Sequence, residues 1–123
     1  MAALILVVDD HDLNVKLLRV ILERRGYRVN AAADAREARQ SARAKRPDLV
    51  LMDVQLPDTD GLRLTREFKC DPQLRAVPII AVTSHAMKGD DERILAAGCD
   101  AYVSKPIDRD ALLALIERYL PSV

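Results

Sequence analysis

No sign of charge is in excess in this chain: Lys plus Arg and Asp plus Glu each number 19, so the formal net charge is zero. A dedicated nucleic-acid binder is normally basic overall, and the balance argues against direct nucleic-acid binding. Cysteine is scarce. Cys70 and Cys99 are far apart and form neither a CxxC pair nor a metal-ligand spacing, so they read as two free, buried thiols. No run approaches the roughly 20 apolar residues of a membrane span. The opening MAALILVV has no basic segment ahead of it and reads as a strand, not a signal peptide. A cytoplasmic location is the expectation. No internal repeat, low-complexity segment or linker is visible, and 123 residues suit one domain, 1–123, around one core.

What is present alternates. Short apolar runs at Leu4–Val8, Val29–Ala32, Asp48–Met52, Val77–Val82 and Ala101–Val103 are separated by longer amphipathic stretches. Most of the runs lack in/out alternation, which predicts strands buried on both faces of a parallel sheet. Leu13, Leu17, Leu18, Ile21 and Leu22 form a helical stripe that stops at Gly26. Asp34 with Glu37 three residues later opens a second helix as a capping box. A third helix runs over Leu62–Phe68 after the turn-rich PDTDG, and Asp108 caps a last one whose Leu112, Leu113, Ile116 and Leu120 face inward. The fourth, somewhere in HAMKGDDERILAAG, contains Gly89 and has a thin apolar stripe, so it should be the least firmly anchored. Arg36, Arg39 and Arg43 share one face of the second helix and read as a solvated face. Strict alternation of about five strands and five helices predicts a doubly wound α/β domain.

Two adjacent carboxylates, Asp9 and Asp10, end the first strand, and Asp53 ends the third. In an open α/β sheet, ligands bind beyond the carboxyl ends of the strands, where the connection direction reverses. With a flavodoxin-like strand order 2-1-3-4-5, that point lies between the first and third strands, and the three acids converge there. Thr83 and Ser84 end the fourth strand and Lys105 follows the fifth, so a hydroxyl and an ammonium border the same crevice. Clustered carboxylates call for a hard cation such as Mg²⁺. A Lys and a Thr beside them can hold phosphoryl oxygens, and a carboxylate among them can attack phosphorus. Each part has a plain structural reading as well, since a strand-ending Asp commonly serves as a turn or cap. The joint pattern is what points to chemistry. His11 and His85 read as surface imidazoles, and Met52 and Met87 as core filler.

With these residues in view, VVDD, LVLMDVQLPDTDGL, PIIAVTSHA and GCDAYVSKPI resemble the motifs of two-component response-regulator receiver domains over essentially the whole chain. The stretch HAMKGDDERILAAGCDAYVSKPI is especially similar to single-domain regulators of the DivK type and to the receivers of hybrid histidine kinases. The resemblance implies that Asp53 accepts a phosphoryl group from a phosphohistidine on a histidine kinase or histidine phosphotransferase. It implies that Asp10 and Asp53 bind Mg²⁺, or another divalent cation such as Mn²⁺, directly. Asp9 would act through water, and the Gln55 backbone carbonyl would complete the protein ligands. Lys105 would pair with phosphoryl oxygens, Thr83 would swing toward the phosphate, and Tyr102 would turn inward behind it. Pro106 matches the family's cis-proline, which would fix the approach of Lys105. Gln55 and His85 stand where the family tunes phosphoryl lifetime, and Thr59 stands where it often has Met. The implied output is a switch in the surface of the fourth helix, fifth strand and fifth helix, read by a downstream protein target, with no substrate turnover.

Three rivals are weaker. A haloacid-dehalogenase-like phosphatase carries a DxD after the first strand, whereas Asp53-Val54-Gln55 follows the third and lacks the second acid. A pseudo-receiver would not keep the intact set Asp9, Asp10, Asp53, Thr83 and Lys105. A nucleotide-binding flavodoxin-like protein would need a Gly-rich phosphate loop after the first strand, and none follows.

Overall fold

A computed structural model describes residues 2–84 and 90–120, with only the backbone of Asp90. The sequence readings placed on His85, Met87 and Gly89 fall outside the described residues. Strand and helix alternate as β1 (Leu4–Val8), α1 (Asp12–Arg24), β2 (Arg28–Ala32), α2 (Ala35–Ala44), β3 (Leu49–Asp53), α3 (Gly61–Cys70), β4 (Ile79–Thr83), α4 (Asp90–Ala96), β5 (Ala101–Ser104) and α5 (Arg109–Tyr119). The sheet order is β2-β1-β3-β4-β5, as expected, and every pairing is parallel.

All five residues of β1, β3 and β4 are buried. Successive side chains of a strand point to opposite faces, and here each face has its own core. Leu6, Val8, Val50, Met52, Ile79 and Ala81 pack under α2, α3 and α4. Ile5, Val7, Leu49, Leu51, Ile80 and Val82 pack under α1 and α5. An unbroken apolar run is therefore required, because neither face of the central strands meets water. On α2 the sheet-facing residues are Ala35, Ala38 and Ala42, small enough to seat the helix close to the sheet.

The strand limits move slightly from their expected places. β4 starts at Ile79 because Pro78 has no N–H to donate; its carbonyl instead accepts from Val50 N at 2.9 Å. β3 includes Asp53 and excludes Asp48, whose carboxylate accepts from Leu4 N at 2.7 Å. Three helix starts are held by capping carboxylates, of which Asp34 and Asp108 are the expected ones and Asp60 is added by the structure. Asp34 accepts from Glu37 N, Asp60 from Leu62 N, and Asp108 from Asp110 N and Ala111 N. Leu112, Leu113 and Ile116 are buried, with Leu120 partly buried against the same cluster.

Two expectations fail. Leu13 and Leu17 do not face the core: they are 80% and 55% exposed, while Leu18 and Leu22 carry the contact with the sheet. The apolar residues of α1 form two stripes and not one: Leu13 and Leu17, joined by the exposed Val20, recur at i, i+4, i+7 on a separate face. Cys70 is exposed and only Cys99 is buried, because Cys70 is the last residue of α3, past the inward-facing Phe68.

Candidate functional site

The register of the sheet carries the acids to one end. β1 and β3 last pair at Val8 with Met52, and β3 and β4 at Asp53 with Val82. Asp9 therefore emerges beside Asp53, and both are nearly sealed, at 4% and 3% exposure. Thr83 ends β4 and is buried too. Lys105, just past β5, is held by its backbone N–H to Thr83 O at 2.7 Å. Its Nζ reaches 3.4 Å from Asp53 Oδ2 and 3.7 Å from Asp9 Oδ2. The Lys105–Pro106 peptide is cis, as the resemblance implied.

Asp10 is the open member of the group, with its side chain 34% exposed. Ligand atoms from Asp9, Asp10, His11 and Asp53 all lie within 4.8 Å of one another. Burial is the main force on the Asp53 carboxyl and pushes it above the usual carboxylate range. The Gln55 amide, donating to Oδ1 at 3.0 Å, pulls the other way, the negative charge of Asp9 adds to the rise, and Lys105 opposes it. One ammonium shared between two buried carboxylates leaves net negative charge here, which a cation would relieve.

The loop that follows Asp53 is folded back on itself. Gln55 bridges Asp60, Gly61 N donates to Val54 O at 2.8 Å, and Gly61 sits so close to the Asp53 carbonyl that any Cβ would collide with it. Glycine is required there for that close approach. Tyr102, on the edge strand β5, is 37% exposed and so is not inward in this state.

Two contacts went unseen in the sequence. His11 was read as a lone surface imidazole; its ring is exposed, yet Nδ1 lies 3.1 Å from Asp9 Oδ1 and 3.2 Å from Asp10 Oδ1. Its place directly after the acids was the available signal. Asp58 accepts from the backbone N–H groups of Ala35 and Arg36 at 3.0 and 3.4 Å, which ties the β3–α3 loop to the start of α2. These bonds hold its carboxyl below the usual range, the Ala35 amide most of all. Of the three arginines on α2, Arg36 and Arg43 are exposed as expected. Arg39, also at the surface, pairs with Glu67 of α3 through Nε and Nη2 at 2.6 and 3.1 Å.

Residues 5–117 match the response regulator receiver domain. The polar-differentiation response regulators DivK of Brucella anthropi and Brucella ovis are each 47% identical over 116 residues, spanning 94% of this chain and of theirs. Among solved structures, the receiver domain of sensor histidine kinase PA1611 from Pseudomonas aeruginosa is 39% identical with a TM-score of 0.89, covering 99% of this chain and 100% of that one. It has a magnesium ion coordinated in its active-site cleft. The chemotaxis response regulator CheY4 of Vibrio cholerae superposes with a TM-score of 0.91 at 28% identity, covering 97% and 99% of the two chains.

Proposed function

The chain belongs to the response regulator receiver family, and from that premise we propose that Asp53 accepts a phosphoryl group from a phosphohistidine on a histidine kinase or histidine phosphotransferase. The observation that supports this most is the sealed Asp53 carboxylate with the Lys105 ammonium 3.4 Å from one oxygen and Asp9 and Asp10 clustered beside it. An Asp53 oxygen forms a bond to phosphorus as the bond from phosphorus to the donor imidazole nitrogen breaks, leaving an aspartyl phosphate.

The donors fit a hard divalent cation, since three carboxylates lie within one coordination-sized cluster. Asp10 and Asp53 would hold Mg²⁺ or Mn²⁺ directly, Asp9 through water, and the Gln55 backbone carbonyl would complete the protein ligands. When bound, the ion offsets charge on the phosphoryl oxygens. Lys105 holds one of those oxygens, and the Thr83 hydroxyl at the end of β4 turns toward another. Space vacated by Thr83 is filled by Tyr102, which moves inward from its exposed place on β5 and shifts the surface of α4, β5 and α5. A downstream protein target reads that surface.

The donor protein docks around His11, Asn14, Leu17 and Pro106, a reading supported by the exposure of Leu13 and Leu17 on the solvent face of α1. Residues 1–123 act as one receiver domain in the cytoplasm. No helix of the described residues is long and apolar enough to cross a membrane. The product is a state of the protein itself, so no phosphate ester is turned over.

Intact mass after incubation with acetyl phosphate and Mg²⁺ tests the proposal. We expect wild type to gain one phosphoryl group only with Mg²⁺ present, and Asp53→Asn to gain none. A folded, metal-loaded wild type that gains nothing makes the protein a pseudo-receiver with structural acids.

A further inference from the structure

Among the described residues, His11 is the one nitrogen donor in a cluster otherwise made of carboxylates. A six-coordinate divalent ion with ligands at about 2.1 Å sets neighbouring donors about 3.0 Å apart and opposite donors about 4.2 Å apart. His11 Nδ1 lies 3.2 Å from Asp10 Oδ1, as neighbouring donors would, and its 3.1 Å contact with Asp9 Oδ1 is a hydrogen bond to the carboxylate that would act through water. Asp10, His11 and Asp53 offer donor atoms within 4.8 Å of one another, so a closing movement of less than about 1 Å would bring the farthest pair to the spacing of one shell.

The helix places no competing demand on this ring. His11 is the N-cap of α1, with extended backbone at φ −92° and ψ 106°, yet its side chain makes no capping bond. The cap's usual role, accepting from an N–H of the first turn, is not performed here, and Nδ1 is turned toward the acids instead. The ring is 63% exposed, so it can settle onto an ion without disturbing the core.

Oxygen donors alone suit Mg²⁺. An imidazole added to them favours the later first-row divalent ions, which bind nitrogen more tightly in the Irving–Williams order. We infer that His11, through Nδ1, is a further protein ligand of this site and biases it toward late first-row cations such as Co²⁺ and Zn²⁺ relative to Mg²⁺. The inference rests on the cation site put forward above and concerns its selectivity. It gives the protein two ways of being loaded: a weakly held Mg²⁺ state, and a tighter state that the scarcer metals reach at lower concentration.

The test is calorimetric titration of the metal-free full chain with MgCl₂ and, separately, CoCl₂, for wild type, His11→Ala, His11→Asn and Asp10→Asn. The visible absorption of bound Co²⁺ is recorded alongside, because nitrogen ligation changes it. Both His11 variants should fold, since the side chain neither caps the helix nor fills the core. We expect them to lose about tenfold or more in Co²⁺ affinity, together with the nitrogen signature, and to change less than about threefold toward Mg²⁺. Asp10→Asn should weaken both ions. Equal effects on the two ions, no effect of His11 on either, or Co²⁺ binding untouched by Asp10→Asn overturns the inference. If wild type binds Mg²⁺ while His11 proves indifferent, only the selectivity role falls; if wild type binds neither ion, the cation site beneath it falls as well.

Discussion

Burial acts on Asp53 against its charge, and the sign of that effect is measurable in the metal-free protein. A carboxyl whose folded pKa is raised contributes stability that is full below the ordinary carboxylate pKa and is lost as pH rises through the raised value. At neutral pH the ionised Asp53 thus burdens the fold. Asp53→Asn keeps the shape and removes the charge, so it should melt higher than wild type at pH 7 in the presence of a chelator. A gain on the order of 1 kcal/mol corresponds to roughly 3–6 °C for a domain of this size. The advantage should shrink as the pH falls into the range where Asp53 itself is protonated. Melting curves by circular dichroism between pH 4 and 8 check this; a lower melting temperature for the variant at pH 7 would mean that Lys105 and the Gln55 amide outweigh burial. Three of the four members of the acidic cluster were legible because a carboxylate ending an apolar strand stands out. His11 was not, because its place directly after the acids does not say which way its ring turns.

Helix α1 shows why a stripe on a helical wheel can be misread. Leu13, Leu17 and Val20 are as apolar as Leu18 and Leu22, and only the direction in which the helix meets the sheet separates them. Leu18 is 2% exposed and Leu17 is 55% exposed, which makes adjacent leucines unequal. Leu18→Ala should cost about 2–5 kcal/mol, through lost burial and the cavity left behind. Leu17→Ala should lie within about 0.5 kcal/mol of wild type, while weakening docking of the phosphodonor. Urea denaturation of both variants reads the first pair of values directly; similar costs at the two positions would put the helix in a different rotation. The helix starts at Asp34 and Asp108 were legible for the opposite reason. A capping carboxylate bonds to its own next two or three residues, so the signal is local. The Asp58 contact with α2 spans 23 residues of sequence and left no local trace.

The order of the sheet and the end at which the acids gather were also readable, because runs buried on both faces admit few arrangements. Alternation was weaker at the edges, where β2 and β5 each keep exposed residues. The central strands feed both cores, one parity of side chain to each, and β2 adds Val29 to one and Ala32 to the other. Asp9, Asp53, Thr83 and Lys105 stand at or just past the carboxyl ends of β1, β3, β4 and β5, outside both apolar clusters.

That placement separates two kinds of inheritance. The cores can drift by compensating exchanges while the strand ends stay put, and the strand ends can be rewritten without unseating a core. A saturation library scored once for abundance and once for phosphoryl acceptance should therefore yield two nearly disjoint sets of intolerant positions. Strand interiors would fail in abundance, and strand ends in chemistry alone. Extensive overlap between the sets would show that this protein's chemistry cannot change independently of its scaffold.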